Sequence, residues 1–544
     1  MRLVILSLLS LIFLLSCSRK QKAALLLYNA TIYTVDSSFS VAEAMVVNDG
    51  KIVTIGKRVD LENKYDVAEK LNVEGKFIFP GFIDAHAHFI QYATELQSVN
   101  LVGTNSWDEV IEKVKAFAQD HSEGWITGRG WDQNDWDIKE FPTNEKLNEL
   151  FPGRPVLLTR VDGHAAIVNQ KALDEASIIP GFKMIGGEAV VKNDKLTGLL
   201  IDNTIDLVTA KIPSTSKEQL IQALKVAERN CFAVGLTTID DCGLSYSEAE
   251  LFDELHQNGD LKMRLYVLLS DKLPNYEFLE KKGIIKTERL HIRGFKLYAD
   301  GALGSRGACL LQPYSDRPGY YGFLLNTTEH LDSMTNRIMQ KGFQVCTHAI
   351  GDSGNRTMLR IYAKYLAGKN DRRWRIEHAQ VVNKNDFALF GKNSIIPSVQ
   401  PTHATSDMYW AGDRLGNTRI KGAYAYKQLL QQNGWIALGT DFPVEDISPF
   451  KTFYAAAVRR DAKGWPNEGY QLENALTREE ALRGMTIWAA KSNFEEEEKG
   501  SLEPGKYADF IILDKDMMKA SDAELSQIKV LKTYVGGEKV YDLK

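Results

Sequence analysis

The 544-residue chain has no long block of like charge, no internal repeat and no low-complexity segment. The first absence excludes a polyelectrolyte arm for nucleic acid, since 66 basic residues against 71 acidic ones leave a formal charge of −5. The short acidic run at 495–498 reads as a solvated loop. The other two absences exclude solenoids and disordered polar tracts. Cysteine is scarce: there are five, and Cys231, Cys242, Cys309 and Cys346 form no C-x-x-C pair, so no disulfide framework is indicated. Buried free thiols are the default for them, although a Cys231–Cys242 bridge stays open. What remains is an ordinary globular composition, 44% hydrophobic and 25% charged.

The apolar run at 3–15 is too short to span a bilayer comfortably and, behind Met1-Arg2, matches the core of a secretory signal. Leu14-Leu15-Ser16-Cys17 resembles the bacterial lipoprotein cleavage box. That resemblance implies loss of residues 1–16, acylation of Cys17 and a polar tether over 17–23. The protein would then be exported and lipid-anchored to a bacterial membrane, on the periplasmic side or at the outer membrane. An ordinary signal, or an uncleaved anchor with a coincidental cysteine, is the alternative.

Residues 25–33, 44–47 and 51–55 read as strands, with Asn48-Asp49-Gly50 as a hairpin turn. Residues 508–513 and 530–535 read likewise, and Gly536-Gly537 marks another hairpin. Neither group has enough strands for a stable sheet, so one β-sandwich assembled from 24–79 and 491–544 is expected. Between them, over 80–490, strands alternate with helices, which predicts parallel βα units. The strand candidates are 82–86, 236–241, 263–269, 292–298, 343–348, 374–377, 395–399 and 435–440. Eight is the number that closes a (β/α)8 TIM-like barrel of the α/β class. A ninth apolar run, 155–160, falls within about 90–225, assigned to an inserted subdomain after the first strand, on the catalytic face.

In such a barrel the C-terminal strand ends converge on one mouth. The first strand ends in His86-Ala87-His88; residues two apart on a strand face one way, so both imidazoles can hold one divalent ion. The fourth strand ends with Lys296, the fifth with His348, the sixth with His378 and the eighth with Asp441. Singly, each has a plain reading: a hydrogen-bonded structural histidine, a capping aspartate, a lysine paired with a buried carboxylate. Together they gather four of the ten histidines with an acid and an amine at predicted strand ends. Imidazole and carboxylate are the expected ligands for zinc and similar ions.

The order His-x-His, Lys, His, His, Asp over strands one, four, five, six and eight resembles the amidohydrolase superfamily. The segments PGFIDAHAH, KLYADGALGSRGA, THAIGD, RIEHAQ, SVQPTHATSD and LGTDFPV look like its amidohydrolase family 3 branch, which includes N-substituted formamide deformylase. The resemblance implies a metal-dependent amidohydrolase that cleaves a C–N bond in an amide, formamide or carbamate-like group. It implies that His86, His88 and Asp441 ligate the more buried metal and that His348 and His378 ligate a second. Lys296 would bridge the two as an N-carboxylated side chain, with one or two zinc ions as cofactor. An unmodified ammonium has no acceptor and cannot ligate; without the modification, His86, His88, Asp441 and His378 would form a one-metal site. A bound divalent ion lowers the pKa of water from 15.7 to about 7 and polarises a carbonyl. Asp441 would carry the water proton to the leaving nitrogen as general base and acid.

Substrate-binding candidates are Trp131 and Asp132, in a cluster of aromatics and carboxylates within the insert, His164 after the ninth apolar run, His403 after strand seven, and Arg306. The two histidines could hold a substrate carbonyl or its oxyanion. The tryptophans would line the pocket or form the core of the insert. Arg306 would bind a carboxylate or brace the loop after strand four. Expected partners are a small-molecule amide-type substrate, a membrane through the anchor at Cys17 and a second copy in a homodimer, with no nucleic acid. Two other readings remain: an esterase, lactonase or deaminase on the same metal site, and a lipid-anchored binding protein without activity.

Overall fold

The computed structural model describes residues 20–121 and 123–544, so the expected signal segment and Cys17 lie outside the described residues. Among the described residues the central sheet has eight barrel strands, β1 (Phe82–Ala87), β2 (Leu236–Leu244), β3 (Arg264–Ser270), β4 (Leu290–Tyr298), β5 (Gln344–Ala349), β6 (Arg375–His378), β7 (Ile396–Val399) and β8 (Ala437–Leu438), and a short strand, Ile285–Lys286, antiparallel to β4. The eight run in sequence order across the sheet, each parallel to its neighbour. Beyond β8 the chain returns to β1. The Asp441 amide donates to His86 O at 2.8 Å, and the Thr440 amide and hydroxyl donate to Asp84 at 2.9 and 2.7 Å. The result is a nearly closed parallel barrel, the α/β architecture expected, with all eight predicted strands in place. The strands are buried on both faces because helices cover the outside. Local signals start those helices: Ser216 with Gln219, and Ser245 with Glu248, form reciprocal capping boxes ahead of Lys217–Ala233 and Tyr246–Gln257.

The ninth apolar run is strand Val156–Arg160 of a separate six-stranded sheet between β1 and β2. Its other strands are Val99–Asn100, Ile126–Trp131, Ala165–Val168, Gly187–Lys192 and Lys195–Asp202. Trp131, Leu158, Ile167 and Leu199 pack one core of this insert with Val110 and Val114 of helix Trp107–Asp120.

The two ends of the chain combine into one hydrogen-bonded sheet; the stacking of two sheets expected there is not shown. Strand Gln21–Tyr33 pairs with Val41–Asn48 along its length, with Tyr65–Asn72 near its start and with Phe77–Pro80 near its end. Phe77–Pro80 then pairs antiparallel with Phe510–Leu513 from the other end of the chain. Alternation gives this sheet two apolar faces: Leu25, Leu27, Met45 and Val47 pack on one, Leu26, Ala44 and Val46 on the other. The strand opens at Gln21, so the last three residues of the expected tether are strand. Asp509 fastens this sheet to the barrel through Arg264 at the start of β3, at 2.7 and 3.0 Å. Cys231, Cys242, Cys309 and Cys346 are all free thiols, which closes the question of a Cys231–Cys242 bridge.

Candidate metal centre

The rim of the barrel gathers the residues expected there. His86 is the penultimate residue of β1, and His88 precedes helix Phe89–Glu95. Lys296 lies near the end of β4, His348 near the end of β5, His378 at the end of β6, and Asp441 just past β8. All but His86 line one open cavity of about 2970 Å³; His86 is fully buried beneath them. Small-molecule pockets occupy roughly 300–1,000 Å³, so this cavity is a site with a wide approach, and its volume does not set the substrate.

Each histidine of the His86-Ala87-His88 pair is held by one ring nitrogen and presents the other. His86 Nδ1 donates to Glu377 Oε2 at 2.6 Å, and His88 Nδ1 donates to Cys242 O at 3.0 Å. Both Nε2 atoms converge on Asp441 Oδ1, at 3.4 and 3.2 Å. Outer partners of this kind fix the tautomer and direction of a metal-binding imidazole. Asp441 Oδ2 lies 3.2 Å from His403 Nε2. Two groups of ligand-competent atoms result, His86–His88–Asp441 and His378–His403–Asp441. The first is the trio expected for the more buried metal. The second differs from expectation, because His403 joins His378 where His348 was expected. The His348 ring centroid lies 4.5 Å from that of His378, but its buried Nε2 has no hydrogen-bond partner; nor has His378 Nδ1. Buried polar atoms left unpaired are uncommon, and here they are imidazole nitrogens beside a carboxylate, a donor set that fits a divalent metal. Lys296 is buried, with Nζ 3.1 Å from His86 Nε2, and among the described residues it forms no ion pair.

The electrostatics follow from burial and these partners. Burial alone would raise the Asp441 carboxyl, but the His403, His86 and His88 rings around it hold it well below the ordinary carboxylate range. Burial would lower His403, but its bonds to Asp441 and Glu445 lift it to about 10. As an imidazolium His403 donates to both acids and cannot ligate; only as a neutral ring does it complete the second group. Glu377, which burial would raise, is drawn down to about 2 by Arg375 and His86. His378 and Asp441 both sit at positive φ, 69° and 66°. Such conformations cost roughly 1–3 kcal/mol each and gather where function requires them.

The remaining candidates separate. Asp132, His164 and His403 line the cavity. Asp132 accepts from Arg160 and from the Asn134 amide, and His164 Nδ1 donates to Asp202 Oδ1 at 2.5 Å. Trp131 does not line it: fully buried, it donates from Nε1 to Leu158 O at 2.8 Å and packs in the insert core. Arg306 is likewise absent from the lining; it pairs with Asp316 at 2.7 Å and braces the loop after β4. Residues that the sequence reading missed include Glu377, Asp300 and Asp202. Glu377 stands beside His378 in RIEHAQ, and its alternation with Arg375 places both side chains on one face, where they pair at 2.8 Å. Asp300, raised to about 7 by burial, accepts the amides of Cys309, Ile350 and Gly351 and so fixes the end of β5 near His348.

Residues 70–541 match a family model described as "Amidohydrolase family". "Protein LONG AFTER FAR-RED 3" of Arabidopsis thaliana is 35% identical over 95% of this chain and 92% of its own length. "N-substituted formamide deformylase" of Arthrobacter pascens is 25% identical over 96% of this chain and 99% of its own. Among solved structures, an uncharacterized metal-dependent hydrolase from Pyrococcus horikoshii superposes with a TM-score of 0.74 at 28% identity, covering 92% of this chain and 99% of that one.

Proposed function

Because the chain belongs to the amidohydrolase family, we propose that it is a metal-dependent hydrolase that cleaves a C–N bond in an amide, formamide or carbamate-like substrate. The observation that carries this reading is the position of Asp441. Its Oδ1 meets the His86 and His88 imidazoles at 3.4 and 3.2 Å, and its Oδ2 meets His403 at 3.2 Å. A divalent metal held by His86, His88 and Asp441 supplies the Lewis acidity that polarises a carbonyl and acidifies water. Asp441, held ionised, accepts a proton from the attacking water and delivers it to the leaving nitrogen. His403, lifted to about 10, donates to Asp441 and Glu445 and so holds the Asp441 carboxylate in place at the rim. His378 and His348 would offer nitrogens to a second ion, and a carboxylated Lys296 would supply oxygen ligands. In protein loaded with ¹³C-bicarbonate, a carbamate carbon signal that vanishes in Lys296→Ala would test the carboxylation.

The formamide deformylase relative supports the choice of a C–N bond. The test is elemental analysis combined with a panel of N-acyl, N-formyl and N-carbamoyl compounds beside matched esters and lactones. Turnover of esters alone would replace this reading by the esterase alternative. We also propose, from Leu14-Leu15-Ser16-Cys17, that the enzyme is exported and lipid-anchored at Cys17. Palmitate labelling in a bacterial host should be lost in Cys17→Ala; label that persists would contradict it.

A further inference from the structure

The insert and the barrel interlock at one strained residue. Asp202 closes strand Lys195–Asp202 and precedes helix Asn203–Thr209 with φ 51° and ψ −128°, a region that favours glycine. An aspartate in that position ordinarily caps its helix, yet this carboxylate makes no capping hydrogen bond. It turns instead to His164, accepting from Nδ1 at 2.5 Å. The loop after β4 closes over the pair. A Cβ on Gly301 would stand 2.5 Å from Asp202 Oδ2, one on Gly307 2.3 Å from it, and one on Gly304 2.9 Å from Arg160 Nη1. These three glycines therefore make room for two side chains of the insert. His164 and Asp202 both line the cavity, and the His164 ring centroid is 5.0 Å from that of His348. Burial opposes it, but the Asp202 carboxylate favours the protonated His164 ring, so with Nδ1–H given to Asp202 the Nε2–H is the donor left for a ligand.

We infer that Asp202 is a positioning residue that holds the His164 imidazolium so that its Nε2–H donates to the carbonyl oxygen of the substrate, which makes the insert part of the catalytic machinery. This rests on the hydrolase reading of the site. The strain supplies a discriminating experiment, because Asp202→Gly removes the carboxylate and relaxes the backbone together. Its melting temperature is expected to hold or rise and its metal content to stay unchanged. Its kcat should fall by about 10²–10³-fold with KM nearly constant, the size of loss seen when a donor to a developing oxyanion is removed. His164→Asn should lose as much, and the double variant no more than the single ones, since the two act as a unit. Asp202→Asn, which keeps an acceptor for Nδ1, should recover part of the rate. An Asp202→Gly protein that melts lower yet keeps full turnover per folded molecule would reduce the pair to a brace. Full turnover in folded His164→Asn would overturn the inference as well. The assay uses whichever amide or ester the wild type turns over fastest. Ester-only turnover then removes the C–N reading while the pair is still measured, and a wild type inactive on both classes removes both.

Discussion

The barrel rim and the core of the inserted sheet border the same cavity and are built to opposite demands. At the rim, His378 and Asp441 hold positive φ, and His348 Nε2 and His378 Nδ1 are buried without partners. In the insert core, Trp131 and Trp136 both spend their indole N–H on backbone carbonyls, Leu158 O and Thr104 O, and pack among aliphatic side chains. The rim carries unsatisfied polarity and strain because it is shaped to receive a ligand. The insert core is satisfied because its task is to hold the wall in place. Chemistry and stability therefore lie in different residues a short distance apart, and substitutions should separate them.

The largest effect should come from the rim. In Asp441→Asn, kcat should drop by about 10²–10⁴-fold, the usual contribution of a positioned acid–base group, while most of the metal and the melting temperature are retained. Full activity in that variant would remove Asp441 from its role. The reverse pattern is expected in the insert. Trp131→Ala should cost about 3–5 kcal/mol in denaturant unfolding and leave kcat/KM per folded molecule unchanged. Lost turnover at unchanged stability would return Trp131 to the pocket wall. Glu377→Gln tests the boundary between the two behaviours. It weakens the hold on His86 Nδ1, so metal affinity in a competition titration should fall by about 10–100-fold; unchanged affinity would make Glu377 a purely structural partner of Arg375. The smallest effect is expected for Arg306→Ala. Its ion pair with Asp316 is partly exposed, worth about 0–1 kcal/mol, and kcat/KM should not move even for substrates bearing a carboxylate. A raised KM for those alone would restore it as a recognition residue.

The same contrast explains what could be read from the chain. The barrel strands are apolar runs bounded by turn residues, a local signal, and all eight appear where expected. His86, His88, Lys296, His348, His378 and Asp441 were legible because each sits at a strand end, and strand ends converge in a barrel. Glu377, Asp300 and Asp202 were not, because their meaning lies in partners that are far off in sequence. Asp202 serves a histidine in the turn before strand Ala165–Val168, and Asp300 the amides of a later loop. Trp131 was ambiguous for a simpler reason: an aromatic between acids looks the same in a wall and in a core, and only the register of strand Ile126–Trp131 decides which way it points. At the chain ends, the strands were legible but their joining into one sheet was not. That depends on how strand Gln21–Tyr33 shares its edges among three partners.

Elemental analysis of freshly purified, active protein, paired with chelation, bears most directly on the rim. One or two equivalents of a divalent transition ion are expected, with hydrolysis abolished by chelator and restored when the ion is returned. Active protein without a stoichiometric ion, hydrolysing at the same rate in chelator, would contradict the metal centre outright.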